Sequence, residues 1–454
     1  MPRQSLDPSQ VATYLHTGVR SAADIQQRFG CSQPTVSRCL AQLGALVVPL
    51  GQGRARRYTA LRDVRSLGGE FSVYTIDAQG NAQQHGQLLA VAQDQFLWRP
   101  VHGTEQLFDS LPWFLADLRP EGFVGRAFVR RMHEELRLPL RLDDWSEDHV
   151  LTALARRGED TIGNLIIGVE SLERYFKLTK APPPPIPSAE VAGVYPQLAV
   201  AALGGQAVGS SAGGEQPKFT TGLERNGTLH QVLVKFSPPI DSIEGRRWAD
   251  LLICEHLALE IVREQTEIKA TQSRIIEAGQ FLFLELERFD RSGRFGRLPL
   301  VSLRAVDNEF FGHQDNWINA SHRLQQSGRL SADEAALMRT ISVFGIYIGN
   351  NDQHFGNISL VMGDEGHRCS LAPVYDVLPM FYRPMNGMVH GHPLDPPLVI
   401  QGVGEEGSRA LHLALHFWAA ALEDVRLSPP FRQLCQQNLA ILQQLHQGPR
   451  LLAG

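Results

Sequence analysis

The run APPPPIP at residues 181–187 constrains the folding of this 454-residue chain more than any other stretch. Four consecutive prolines hold φ near −65° and remove backbone donors, so neither a helix nor a central strand can run through them. The run reads as an extended polyproline-type spacer between subdomains. The chain is also too long for one ordinary core, and roughly 150 residues per domain suggests about three units. Before the spacer, strand-like pieces (EFSVYTID, QFLWRPV) mix with helix-like ones (LFDSLPWFLADLRP, EDHVLTALARRG). After it, two strand signals, HQVLVKFS and FLFLELERFD, flank the apolar helix pattern WADLLICEHLALEIV, and helical patterns then dominate. Strands followed by helices imply an α+β body with two lobes. The segments expected on this reading are 1–66, 67–180, 181–290 and 291–454.

The first segment differs from the rest in charge. Residues 1–65 hold nine arginines against three aspartates, a balance of +6, so the net charge of −5 leaves −11 for the remainder. A small basic end on an acidic body suggests a module with an anionic partner. VATYLHTG and SAADIQQRFG read as two helices, the second with Ser21 as N-cap and Gly30 as stop. PTVSRCLAQLG follows as a third, with Ser32 as N-cap and Pro34 in its first turn. ALVVPLGQGRARRYTA then alternates like a hairpin with an Arg-rich return strand. This is the order of a winged helix-turn-helix. There Gln33, Thr35, Ser37 and Arg38 would face a major groove, where small polar side chains and Arg read base edges. Arg54, Arg56 and Arg57 on the wing would neutralise phosphates. The plainer alternative is a helical protein-interaction domain with a solvated basic face; charge bias and element order together favour DNA.

GNNDQHFGNISL, residues 349–360, suits a surface turn on composition alone. Its neighbours suggest more. Asp352 and Asn357 are five apart, and Asp376 follows in APVYDVLPM after an apolar run. Protein kinases place a catalytic Asp five residues before a magnesium-binding Asn, with a second magnesium-binding Asp beyond. One carboxylate can then address a substrate hydroxyl while oxygen ligands hold the metal beside the phosphates. Upstream, Lys235 lies among alternating apolar residues in HQVLVKFSP, where a charge is costly unless paired or bound to phosphate. Glu255 and Glu260 on the next helix pattern are equally placed to pair with it. ELERFDR (285–291), centred on Glu287 and Phe289, suits a hinge whose backbone meets an adenine edge. GSSAGGEQPKF is no Walker A loop, since no GK[ST] closes it. Its glycines still let backbone amides approach phosphate, and Ser210 and Ser211 sit where such a loop could itself accept a phosphoryl group.

Other chemistries lack their motifs. There is no HExxH and no paired spacing among Cys31, Cys39, Cys254, Cys369 and Cys435. No apolar run approaches the ~18 residues of a membrane helix, and the N-terminus lacks a signal peptide's apolar core. A cytoplasmic, reduced protein with no membrane partner is the expectation.

Taken together, SSAGGEQPKF, VLVKFSP, ELERFDR, NNDQHFGNISL and APVYDVLP resemble, in order, the motifs of the HipA family of serine/threonine kinases from bacterial toxin–antitoxin systems. The resemblance spans roughly residues 70–430. It implies a bilobal kinase fold with a mixed N-lobe, an added subdomain and an all-α C-lobe. It implies ATP and Mg2+ as cofactors and a cellular protein as substrate. Asp352 then resembles the catalytic Asp, Asn357 and Asp376 the magnesium ligands, and Lys235 the phosphate anchor. Ser211, with Ser210 as second choice, resembles the autophosphorylated serine. Typical members borrow a DNA-reading domain from a separate antitoxin, whereas here one is fused at the front, so the need for a separate antitoxin is left open. The rival expectation is a DNA-binding regulator whose kinase-like body serves as a sensor or scaffold, and a third is a small-molecule kinase.

Overall fold

A computed structural model describes residues 6–204, 216–363 and 368–447. Ser210 and Ser211 lie outside the described residues, as does the side chain of Arg54. The chain begins with helices Pro8–Leu15, Ala22–Phe29 and Gln33–Leu43. Asp7 caps the first by accepting from Ser9 N at 2.9 Å, and Ser21 and Asp24 form a reciprocal capping box on the second. Ser32 starts the third, but its hydroxyl pairs with that of Thr35 at 3.0 Å instead of capping an amide. Val11, Leu15, Ile25, Val36 and Cys39 close a small core. Val47–Leu50 pairs antiparallel with Arg57–Ala60 as the hairpin pattern implies. Arg20–Ser21 adds a third strand, too short to carry a periodic signal. Val48 then packs on Leu89, Val91 and Leu97, and Arg62 pairs with Asp148 at 2.7 Å, docking this unit onto the sheet and helices downstream.

The next stretch is a five-stranded antiparallel sheet, ordered Gln106–Phe108, Phe96–Pro100, Ala82–Ala90, Glu70–Ile76, Leu165–Ile167. Helices Gly122–Leu136, Glu147–Arg157 and Val169–Lys180 accompany it. LFDSLPWFLADLRP forms no α-helix: Gln106–Phe108 is the edge strand and Trp113–Leu118 a 3-10 turn, bounded by Pro112 and Pro120.

A second five-stranded sheet is ordered Ser273–Ala278, Phe281–Glu287, Thr228–Phe236, Lys218–Arg225, Ile186–Pro187. The end of the proline run is therefore more than a spacer, because Ile186–Pro187 pairs parallel with Leu223–Glu224. Proline is tolerated there because an edge strand needs donors on one side only. The 23-residue helix Ile243–Gln265 packs against this sheet and also against the C-terminal helices.

The C-terminal body is built on helices Ala332–Ile348, Glu405–Glu423 and Pro429–Gln447, with Trp317, Phe344, Phe417 and Trp418 in its core. The expected all-α C-lobe is corrected here. Leu300–Ser302, Ser359–Met362 and Cys369–Leu371 form a three-stranded antiparallel sheet. Strands of three or four residues are too short to show period-2 alternation, and their pairing is long-range. The Asp352 loop hangs between helix Ala332–Ile348 and strand Ser359–Met362. All five cysteines are free, and no helix among the described residues is long and apolar enough to cross a membrane.

Candidate active site

Antiparallel pairing sets Lys218 and Lys235 side by side on neighbouring strands, with Leu284 opposite Lys235 on its other flank. Lys235 is only 4% exposed. Its ammonium donates to both Glu255 oxygens at 2.8 Å and to Asp376 Oδ1 at 2.6 Å. Glu255 also accepts from Asp376 N at 3.2 Å, so one carboxylate organises the lysine and the aspartate together. Burial alone would lower the lysine pKa, but Asp376 and Glu255 outweigh it and hold the ammonium above its ordinary value. Burial pushes the Glu255 carboxyl up against the pull of Lys235. Asp376 is held below its usual range because Lys235 and Lys218 overcome its burial. Asp376 also adopts φ +58°, left-handed backbone that a non-glycine residue holds only when its surroundings impose it.

The loop bearing Asp352 is fixed from several directions. Gly349 ends the preceding helix at φ +79°, where any side chain is strained, and a Cβ there would lie 2.7 Å from Leu394 Cδ2 and push that side chain aside. Asn350 N donates to Gly345 O at 2.8 Å, and Gln353 exchanges hydrogen bonds with Ser342. Phe355 is buried, and Trp317 Nε1 donates to His354 O at 3.2 Å. Across the turn, Asn357 Nδ2 donates to the Asp352 carbonyl at 2.9 Å. That bond commits the amide nitrogen and leaves the amide oxygen for an incoming group.

Lys218, Lys235, Glu287, Phe289, His354, Asn357, Tyr375 and Asp376 line a single cleft, with the Phe289 and Tyr375 rings 5.6 Å apart. Asp352 is not among its walls. It lines an adjoining groove, and His354 lines both. Glu287 meets His230 Nδ1 at 3.0 Å. Of the two glutamates the spacing left open, Glu255 holds the lysine, while Glu260 pairs with Arg263 at the surface.

Several cleft residues carry no sequence motif. Asp117, Arg119, Glu121 and Ile162 reach it from the sheet-and-helix unit upstream of the proline run. Asp117 accepts from Ser302 N at 2.6 Å and Ser302 Oγ at 2.7 Å; burial pushes its carboxyl up. Glu121 pairs with Arg304 at 2.8 Å. Asp160 and Gly163 clamp the segment after Glu287. Arg291 binds Asp160 at 2.8 Å and Asp290 at 2.7 Å, Arg288 binds Asp290 at 2.9 Å, and Gly163 N donates to Asp290 at 3.1 Å. No local signal in GEDTIG announces this, because its partners lie more than a hundred residues away.

The DNA-facing candidates belong to the N-terminal helical unit and do not reach the cleft. Gln33, Ser37, Arg38, Arg56 and Arg57 are exposed, whereas Thr35 is half-buried. For a metal, the oxygen donors Asp376 and Asn357 suit hard Mg2+, which takes one or two side chains and fills its shell with phosphate and water oxygens. No group of three or more His, Cys, Asp or Glu side chains able to hold a metal occurs among the described residues, so they form no closed zinc-type site.

Residues 67–176 match the family model of the YjjJ-like toxin middle domain, and residues 210–444 match that of the HipA-like C-terminal domain. The chain is 36% identical over 448 residues to Toxin YjjJ of Escherichia coli K12, covering 98% of this chain and all of that one. Among solved structures it resembles HipA of Shewanella oneidensis MR-1, determined as a toxin–antitoxin complex with HipB and operator DNA. The TM-score is 0.52 at 16% identity, covering 82% of this chain and 97% of the other.

Proposed function

The chain belongs to the HipA-like toxin family, and from that premise we propose that it is an ATP- and Mg2+-dependent serine/threonine protein kinase fused to a winged helix-turn-helix DNA-binding domain. The observation that carries this reading is the buried Lys235, shared between Glu255 and Asp376 in the cleft that Asn357 also lines. In a phosphotransferase, Lys235 would hold the nucleotide phosphates, with Glu255, bound to the same ammonium, keeping it in place. Asn357 and Asp376 would hold Mg2+, whose charge would offset that of the phosphates. The segment Glu287–Phe289 meets the adenine. Asp352 orients the acceptor hydroxyl and accepts its proton as the oxygen bonds to the γ-phosphorus, while the bond from that phosphorus to the β–γ bridging oxygen breaks and ADP leaves.

On this reading Ser211, with Ser210 second, takes a phosphoryl group and switches the enzyme off by placing negative charge beside the ATP phosphates. A Ser211→Ala protein less active than wild type would contradict the switch. The exposed Arg56 and Arg57, with Arg54, contact DNA phosphates, while Gln33, Thr35, Ser37 and Arg38 enter the major groove. The protein acts in the cytoplasm on a cellular protein, as a toxin or toxin-derived regulator, with an antitoxin as a further partner.

Incubation with γ-labelled ATP and Mg2+ tests the enzyme reading. Wild type should label itself or added protein, and Asp352→Asn should lose that labelling by several orders of magnitude. No transfer by either protein would favour the regulator whose kinase-like body is a scaffold.

A further inference from the structure

Asp352 lines a groove that adjoins the nucleotide cleft at His354 and has its own walls. One wall is an irregular arch within residues 394–402, pinned at both ends. Leu394 N donates to Oδ1 of the buried Asn438 at 2.9 Å, and Gly402 O meets His322 Nε2 at 2.8 Å. The Leu394 side chain also packs on Gly349, where the Asp352 loop begins. Between the pins, Pro396 and Pro397 stiffen the backbone and two large apolar side chains stand in solvent, Leu398 at 82% and Val399 at 79% exposure. Pro397, Val399 and Ile400 line the groove, whereas Leu398 does not. Side-chain amides, including Gln314, Asn316, Asn319 and Gln401, supply much of the remaining surface. Among the described residues no lysine or arginine lines it, and the carboxylates that do are Asp352 and Asp315, the latter already bound to Arg323 at 2.8 Å.

We propose that this groove is the acceptor site, and that it takes an extended serine- or threonine-bearing segment of a protein, with an apolar residue beside the acceptor and no acidic one. The inference rests on the kinase reading above and adds the acceptor's chemistry. The groove is continuous with the group that would accept the hydroxyl proton, so its occupant is whatever presents that hydroxyl. Amides can bond the backbone of an extended chain without regard to sequence. Val399 and Ile400 offer apolar surface to a neighbouring side chain. An acidic neighbour would meet Asp352 with no lysine or arginine among the described wall residues to offset it.

A positional-scanning library of Ser/Thr-centred peptides, labelled with γ-labelled ATP and Mg2+, reads this directly. Wild type should select an apolar residue over an acidic one at a position flanking the acceptor. Val399→Asp should lose roughly tenfold of that selection and shift it toward Lys or Arg, with binding of a fluorescent ATP analogue unchanged. Leu398→Asp adds the same charge one residue away, outside the groove, and should keep the wild-type profile. An unchanged profile in Val399→Asp, an equal change in Leu398→Asp, or wild-type preference for acidic peptides would overturn the proposal. Wild type that labels itself but no peptide would overturn the groove alone. Wild type that labels nothing would overturn the kinase reading beneath it.

Discussion

Replacing Glu255 with glutamine isolates what holds the cleft together. The Glu255 carboxylate is fully buried and accepts three hydrogen bonds, two from Lys235 at 2.8 Å and one from Asp376 N at 3.2 Å. A glutamine amide has one acceptor oxygen, and because Lys235 bonds both carboxylate oxygens the NH2 faces the ammonium in either orientation, donor against donor. Removing one partner of a buried ion pair costs about 3–5 kcal/mol, and Asp376 still holds the lysine at 2.6 Å, so Glu255→Gln should cost about 3 kcal/mol. Lys235→Met should cost a similar amount, since it leaves the Glu255 carboxyl without its cation. The double variant carries neither charge, and neutral replacements of buried pairs are often tolerated, so it should cost only about 1–2 kcal/mol. Urea unfolding of the four proteins at neutral pH gives the coupling directly, expected at about 4 kcal/mol. All three variants should lose phosphate transfer, because stability and nucleotide positioning use the same contacts. Single costs that sum to the double within about 0.5 kcal/mol would refute the reasoning. The charges would then not be coupled in the folded state.

Three further outcomes concern other parts of the molecule. Gly349→Ala should destabilise by about 1–3 kcal/mol through φ +79° and the contact with Leu394, and should slow transfer by displacing the Asp352 loop; a melting temperature equal to wild type would contradict this. Burial opposes charge on Asp290, but Arg288 and Arg291 prevail and hold its carboxyl well below the unfolded value near 3.9. Its contribution is therefore present above about pH 4 and lost as pH falls further, so Asp290→Asn should be less stable at neutral pH and show a flatter acid limb; parallel urea midpoints for the two proteins across pH would count against it. Arg56→Ala/Arg57→Ala should weaken DNA binding and lower the slope of log K against log salt by about one to two, measured by anisotropy; an unchanged slope would remove those side chains from the phosphate contacts.

Much of the local structure was legible in the amino-acid order. Ser21 and Gly30 marked both ends of the second helix, and Ser32 with Pro34 the start of the third, because caps and left-handed glycines act within one turn. Alternation marked the strands at 228–236 and 281–287, and a lysine amid that alternation singled out Lys235, since an uncompensated charge there would be costly. The spacing of Asp352, Asn357 and Asp376 drew attention for the chemistry such oxygens can do.

Tertiary structure alone chose Glu255 over Glu260, because helical position 255 faces the lysine strand while 260 faces solvent. It drew Ile186–Pro187 out of the proline run and into a sheet edge, and it placed a three-stranded sheet inside a body whose pattern read as helical. It also brought Asp117 and Ile162 to the cleft, and Asp160 to the clamp beside it, across more than a hundred residues. It set Asp352 in a groove that Pro397, Val399, Ile400 and Gln401 also line. The dividing line is physical. Periodicity, caps and an isolated charge are set by neighbours within a few bonds, whereas cross-strand partners, buried ion pairs and the walls of a cleft exist only once distant segments pack.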